Sequence, residues 1–439
     1  MQASSNRRDG RDARDSRTCS VVIGGGLAGL AAALELVDRG HEVILLEARP
    51  TLGGAVQTLP ERDGDPDPPP DNGQHIALGC CGAYLGFLER IGRQNDVRRQ
   101  RLALPVIATD GRIATIRPGP VALLRYRHLS LGERAALGRV VRRLEPLDPA
   151  AHDDETFADL LRRFGSSQQA IDRFWDVFVR PALNLRSEEV SAGLALFTVQ
   201  TALLGDRRAS DLVLPIAPLG EMHGAAARAS LESAGATVRT NARVADLEEN
   251  AAVLGDGERV FADAFVVALP PGESAALLGE PEPALEDSPI VSVHLLFDRR
   301  LLRYELAALL ESPAHWVFDR GLLTGHPPEH GQYLTVVSSG VPELLQIRGR
   351  ELVELMAREL QGRLGSAELL WSRVSREPAA TFAARPGTMR LRLPPETDRP
   401  NVVRAGAWTA TGWPATMESA VLSGTAAVRA VVQREKVPA

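Results

Sequence analysis

Read for the alternation of apolar and polar positions, the chain first shows regular structure at Val21-Val22-Ile23, an unbroken apolar run suited to a strand buried on both faces. Gly24, Gly26 and Gly29 follow at once. Residues 30–37, rich in Ala and Leu, predict a helix closed by Gly40. Val43-Ile44-Leu45-Leu46 predicts a second buried strand, ended by Glu47. Pro and acid density over residues 60–70 predicts a surface loop. Residues 85–200 read as mostly helical: 122–144 are amphipathic, Thr156 caps a short helix to 164, and 171–178 form another ended by Pro181. Residues 221–233 predict an Ala-rich helix, 235–239 and 244–247 short strands, and 261–269 a strand stopped by Pro270-Pro271. Alternation over 291–297, with 316–318 and 333–337, predicts a second, antiparallel sheet, and 351–360 a helix beside it. The chain closes with a strand over 401–406 and a helix over 417–429.

The opening strand–turn–helix–strand unit carries chemistry. Gly24 permits a tight turn, Gly26 lets a pyrophosphate approach the backbone, and Gly29 lets helix and strand pack closely. The free N–H groups and the dipole of the helix start attract the anion. Glu47 is placed to accept hydrogen bonds from ribose hydroxyls, which favours an unphosphorylated adenosine ribose over NADP. A lone GxGxxG is weak; the strand before it, the helix after it and the acid at this distance make it a dinucleotide site. The unit by itself serves NAD or FAD.

Length and charge narrow the class. With 439 residues, the chain suits a large enzyme of two interleaved domains. A formal charge of −6 argues against a nucleic-acid partner. The three cysteines, Cys19, Cys80 and Cys81, form no CxxC and no disulfide framework, so a reducing cytoplasm is expected. Residues 1–18 have no apolar core of a secretory leader and predict a disordered tail. No window is long and apolar enough to span a membrane, so any membrane contact would be peripheral. The Arg-rich 122–144 stretch is either a solvated helix face or such a contact. Phe174 and Trp175 are either core or the wall of an apolar substrate pocket. His294, alone on a strand, is given no role. Asp71-Asn72-Gly73-Gln74-His75 reads equally as a pocket wall or as a turn chosen for backbone shape.

Resemblance sharpens these readings. The Gly53-Gly54 pair after Glu47 resembles FAD enzymes of the amine oxidase and carotenoid desaturase group. The Asp71-Asn72-Gly73-Gln74-His75 run, Phe174-Trp175 with Pro181-Ala182-Leu183-Asn184, and residues 405–420 resemble the hydroxysqualene dehydroxylases, flavoenzymes of bacterial squalene and hopanoid synthesis. The likeness runs from about residue 20 to 430. It implies an α/β protein in which a Rossmann-type FAD-binding domain (19–95, 211–285, 399–435) interleaves with an α+β substrate domain (96–210, 286–398). It implies FAD contacts at Ala28, Ala48, Gly53, Gly54, Val244, Gly406, Thr416 and Met417, beside Gly24, Gly26, Gly29 and Glu47, and substrate contacts at Phe174, Trp175, Asn184 and Trp413. No Cys or Tyr is placed for covalent attachment, so the FAD is expected to be non-covalent, and no metal is expected.

The implied substrate is an apolar triterpene bearing an allylic hydroxyl. Losing that hydroxyl needs an acid, and His75, helped by Asp71 or Gln74, is the candidate. No second dinucleotide fingerprint appears, so electrons are expected from an external donor. The family's usual Arg after the Gly pair is Ala55 here, and its usual acid before the first Trp of the closing segment is Ala407. These departures favour a third reading, a non-catalytic scaffold for terpenoid enzymes, beside the dehydroxylase and a carotenoid desaturase or amine oxidase.

Overall fold

Five parallel strands carry the dinucleotide unit. In sheet order they are Val402–Arg404, Ala264–Val267, β1 (Cys19–Ile23), β2 (Glu42–Leu46) and Thr237–Arg239. The computed structural model describes residues 17–435; most of the expected N-terminal tail lies outside them. The pleat sends alternate side chains to two different cores. Val22, Leu45, Val266 and Val403 face helix α1 (Leu27–Asp38), helix α2 (Gly82–Arg90) and the C-terminal helix Met417–Glu435. Val21, Ile23, Phe265 and Val267 face a three-stranded antiparallel sheet built from Val244–Leu247, Ala251–Leu254 and Arg259–Phe261. Burial on both faces is why these strands read as continuous apolar runs. α1 and the C-terminal helix touch closely, since a Cβ on Gly424 would lie 2.3 Å from the Ala28 carbonyl oxygen.

The second sheet has seven strands, in the order Leu369–Phe382, Asp287–Phe297, Gln332–Ser339, Trp316–Asp319, Leu306–Leu309, Leu104–Ile107 and Ile113–Ile116. It is antiparallel except where Leu306–Leu309 runs parallel to Leu104–Ile107, which corrects the all-antiparallel expectation. Val291, Val293, Leu295, Leu334 and Val336 point to a core covered by helix Gly349–Leu364. On the other face of the central strands stand Ser292, His294, Thr335 and Arg373, all buried. That polar face lies against the 71–75 run, because a Cβ on Gly73 would come 3.1 Å from Ser292 Oγ.

Several local expectations needed correction. Residues 97–116 hold three short strands inside the stretch read as helical. The 122–144 stretch is two helices, α3 (Pro120–Leu124) and α4 (Leu131–Leu144), and Ser130 with Glu133 forms a capping box at the second. Pro181 does not end its helix. A π-helical turn over Ile171–Trp175 leads into Asp176–Leu183, which stops at Asn184 in the left-handed conformation with φ 54°. Asn184 is anchored there by tertiary hydrogen bonds that no local pattern reveals: its Nδ2 donates to Ser288 O at 2.8 Å, and its Oδ1 accepts from Gly340 N at 2.6 Å.

Candidate active site

The turn after β1 is shaped by close backbone contacts. Gly24 has φ +106°, and a Cβ on Gly29 would lie 1.9 Å from the Gly24 carbonyl oxygen. Gly26, the residue before α1, faces the Gly53-Gly54 pair through a parallel bridge to Gly53. A Cβ on Gly54 would stand 2.9 Å from Gly26 Cα. The three glycines thus bring two backbone segments together with no side chain between them. The N–H groups of Ala28 and Gly29 have no acceptor among the described residues, which suits the start of a helix that faces an anion.

Glu47 ends β2 with both carboxylate oxygens fixed by backbone. Oε2 accepts from Gly25 N and Oε1 from Arg49 N, each at 2.7 Å. Each oxygen keeps a lone pair for a ribose hydroxyl. Glu47, Ala48, Gly24, Val244 and Leu277 line a cavity of about 270 Å³ beside this carboxylate. The cradle and the cavity therefore fit the pyrophosphate and adenosine ends of a dinucleotide.

At the other end, Thr416 caps the C-terminal helix, its Oγ1 accepting from Ser419 N at 3.2 Å. The N–H groups of Met417 and Glu418 have no acceptor among the described residues. The loop before the helix is held by Arg392, which the sequence reading missed. This buried guanidinium donates to the carbonyls of Ala407, Trp408, Thr409 and Trp413 and stacks on Phe382. No carboxylate pairs with it among the described residues, and burial pulls its pKa down to about 10. Gly406 is fixed by Ser423, whose Oγ accepts its N–H at 2.9 Å. Glu418, also missed, reaches back to accept from Ala83 N and Tyr84 N at the start of α2.

The 71–75 run joins these parts to the second sheet. Asp71 is buried. Its Oδ1 accepts from Thr58 Oγ1 at 2.7 Å and Leu219 N at 3.0 Å, and its Oδ2 pairs with Arg320 at 2.6 Å. With these partners in place Asp71 anchors the run, and its carboxylate favours a proton on the nearby His75. Asn72 donates to the Ala55 carbonyl, so the chain bearing the missing Arg is tied to this run. Asn72 Oδ1, Gln74 Oε1, Ser292 Oγ, His294 Nε2 and Tyr333 OH are buried with no partner. The buried ion pair Arg373–Asp65 closes the same layer.

His75 makes no hydrogen bond to a described residue. Burial lowers its pKa, and the nearby Asp71 carboxylate opposes the shift. His223 sits close enough for the two rings to repel each other's protonation. Its Nδ1 faces the Leu219 carbonyl at 2.9 Å, which can only accept, so Nδ1 carries the hydrogen and Nε2 receives the Tyr84 hydroxyl at 2.8 Å. Burial pushes His223 down to about 4 and raises the Tyr84 hydroxyl well above its usual range. His294, for which no role was expected, is likewise held neutral at about 3 by burial, with the Arg320 and Arg373 charges adding to it.

The aromatic residues divide. Phe174 and Trp175 are buried in the helical core, where they meet each other edge to face and Trp175 meets Phe157 in the same way. Asn184 is buried with its amide fully engaged, which corrects its expected substrate contact to a structural cap. Trp413 is half-buried at the loop that precedes the C-terminal helix and meets Phe197 edge to face at 5.2 Å.

Comparison with known proteins agrees with this geometry. A family model described as flavin containing amine oxidoreductase matches residues 27–432. A hydroxysqualene dehydroxylase of Sinorhizobium fredii is 27% identical, over 92% of this chain and 96% of its own length. A 15-cis-phytoene desaturase of Capsicum annuum is 26% identical, over 94% of this chain and 77% of its own. Cyclohexylamine oxidase from Brevibacterium oxydans shares the fold, with a TM-score of 0.70 at 18% identity over 96% of this chain and 100% of its own.

Proposed function

Because the chain belongs to the flavin containing amine oxidoreductase family, we propose that it is a hydroxysqualene dehydroxylase with non-covalently held FAD. At the coarser level it is an FAD-dependent oxidoreductase of the amine oxidase and desaturase type. The observation that carries the finer reading is the Asp71-Asn72-Gly73-Gln74-His75 run. It is anchored at Asp71, tied to Ala55 beside the cradle, and lies against the polar face of the second sheet.

FAD fits the residues present: Gly26, Gly53 and Gly54 would hold the pyrophosphate, Glu47 the ribose, and the Met417 end of the last helix the flavin ring. Bound in its reduced form, FAD would supply the hydride that replaces the hydroxyl, so that hydroxysqualene and reduced FAD would give squalene, water and oxidised FAD. An external donor restores it. The chain's own task is to hold the carbinol and pass a proton to its oxygen, since hydroxide leaves poorly. His75 spends neither ring nitrogen on a described residue, and Gln74 has a buried, unpartnered amide oxygen beside it. Since burial favours the neutral ring, turnover through protonated His75 rises as pH falls below the ordinary histidine range.

The test is anaerobic. The reduced, FAD-loaded protein is mixed with hydroxysqualene, and flavin reoxidation and squalene are followed together. Stoichiometric squalene supports the reading. Reoxidation by oxygen alone, or oxidation of phytoene by the oxidised enzyme, moves it to the desaturase side. His75→Ala should keep its flavin and lose at least about tenfold in turnover; full turnover in that variant removes His75 from the mechanism.

A further inference from the structure

The charge of this chain is unevenly placed. Residues 111–144 carry eight Arg and a single Glu, a local +7 in a chain whose total is −6, so the remainder stands at −13. This stretch holds α3 and α4, the two helices that replace the single amphipathic segment expected from sequence. Arg134 clamps them together, donating to Leu124 O at 2.7 Å and Leu129 O at 2.8 Å. That contact brings the end of α3 beside the first turn of α4.

Large aliphatic side chains point to solvent there. Val121 is 62%, Leu124 55% and Leu131 75% exposed. On α4 the inward face is Leu137, Val140 and Leu144. The opposite stripe, at helical spacing, is Leu131, Ala135, Gly138, Arg139 and Arg142, all exposed. Ala135 and Gly138 keep this stripe flat. Arg117, Arg125, Arg127, Arg139 and Arg142 form no ion pair or hydrogen bond with a described residue. Elsewhere on the molecule most surface guanidinium groups have carboxylate partners, such as Arg90 with Asp38 and Arg239 with Glu258.

We propose that the α3–α4 face docks on an anionic lipid bilayer, with Val121, Leu124 and Leu131 entering the headgroup boundary and the unpaired arginines on the lipid phosphates. Aliphatic tips at the centre with cations around them match the two layers of a lipid interface. An acidic protein surface would reward the arginines but leave three exposed aliphatic side chains without a match. The docking face also connects to the apolar interior. Tyr126, between the two helices, is buried, donates its hydroxyl to Arg173 O and meets Phe174 edge to face at 5.9 Å. The inference rests on this surface and does not require the substrate to be a triterpene.

The test uses the full chain loaded with FAD and two sets of vesicles, phosphatidylcholine alone and phosphatidylcholine with phosphatidylglycerol, in a flotation assay at low and high salt. Binding to the anionic vesicles, weakened by salt, is expected. Arg125→Ser, Arg139→Ser and Arg142→Ser together should lower the partition coefficient about 100-fold, at roughly one charge contact each. Leu124→Ser with Leu131→Ser should weaken binding at both salt concentrations. All five positions are exposed, so the flavin spectrum and the melting temperature report that the fold is kept. Absence of binding to either vesicle overturns the proposal, and so does binding that both variant sets leave unchanged. A dehydroxylase that fails to bind vesicles would still turn over detergent-dispersed hydroxysqualene, which separates the failure of this inference from failure of the function.

Discussion

Asp71→Asn tests the anchor of the candidate site. The carboxylate and Arg320 are both almost fully buried, with side chains 3% exposed, and meet at 2.6 Å. At that separation and an effective dielectric near 20, the gross Coulomb attraction is about 6 kcal/mol, part of which offsets the removal of both charges from water. Asparagine keeps the shape and an acceptor for Thr58 Oγ1 and Leu219 N. It leaves Arg320 buried with the Pro69 carbonyl at 3.1 Å and an Nε that has no partner. Breaking one side of such a pair is expected to cost about 3–5 kcal/mol. Replacing both partners, as Asp71→Asn with Arg320→Met, should recover most of that, because no buried charge is then stranded. Urea unfolding of the FAD-loaded proteins at neutral pH, followed by tryptophan fluorescence, measures the four corners of the cycle. A single Asp71→Asn loss below about 1 kcal/mol, the value of an exposed pair, would refute the anchor argument. So would a double variant no more stable than the single.

Further outcomes follow from the same structure. His223 and His294 are buried and His315 half-buried, and all three are held neutral, at about 4, 3 and 3, so the unfolded chain binds more protons than the folded one below the ordinary histidine value. Their contribution is fully present above about pH 6.5 and is lost as pH falls, at up to about 1.4 kcal/mol per pH unit for each ring. Urea midpoints should therefore drop steeply between pH 7 and 5; a flat profile there would show that the rings are not held neutral. Asp319, Glu377 and Glu418, raised by burial, act in the opposite sense, losing stability as pH rises through their raised values. Gly54→Ala places a Cβ 2.9 Å from Gly26 Cα at φ +60°. It should raise the Kd for FAD at least about tenfold, or about 1.4 kcal/mol, by titration of apoprotein; unchanged affinity would remove the glycine cradle as the pyrophosphate site.

The local part of the site was legible because its physics is local. Val21-Val22-Ile23, Gly24, Gly26, Gly29 and Glu47 sit within one βαβ unit, where strand burial, turn geometry and the reach of a carboxylate all follow from spacing along the chain. The same holds for the start of the last helix, where Thr416 accepts from Ser419 N and leaves the Met417 and Glu418 N–H groups free. The Asp71 to His75 run drew attention by composition, but its two readings could not be separated by its own residues. The structure shows it adjoining a layer of unpartnered polar groups, because its neighbours include a strand more than 200 positions away.

What tertiary structure decided lies in partners brought together across the chain. Nothing near Arg392 in sequence says that five residues of the 407–413 loop will turn their carbonyls and a hydroxyl toward it. Glu418 serves a helix 335 residues earlier. Asn184 reads as a polar residue after a proline, yet its amide joins two strands and Gly340, the residue just past a third, and is spent. Phe174 and Trp175 have the pattern of core and of pocket wall alike, and only the fold shows the Phe157 ring packed against Trp175. Sequence by itself determined the βαβ unit, a second and mainly antiparallel sheet, and a dinucleotide site, since periodicity and glycine geometry act over a few residues; FAD rather than NAD came from the family resemblance. Only the fold decided which polar groups are satisfied, because a hydrogen bond or an ion pair depends on distance in space, and hydrophobic periodicity carries no record of that distance.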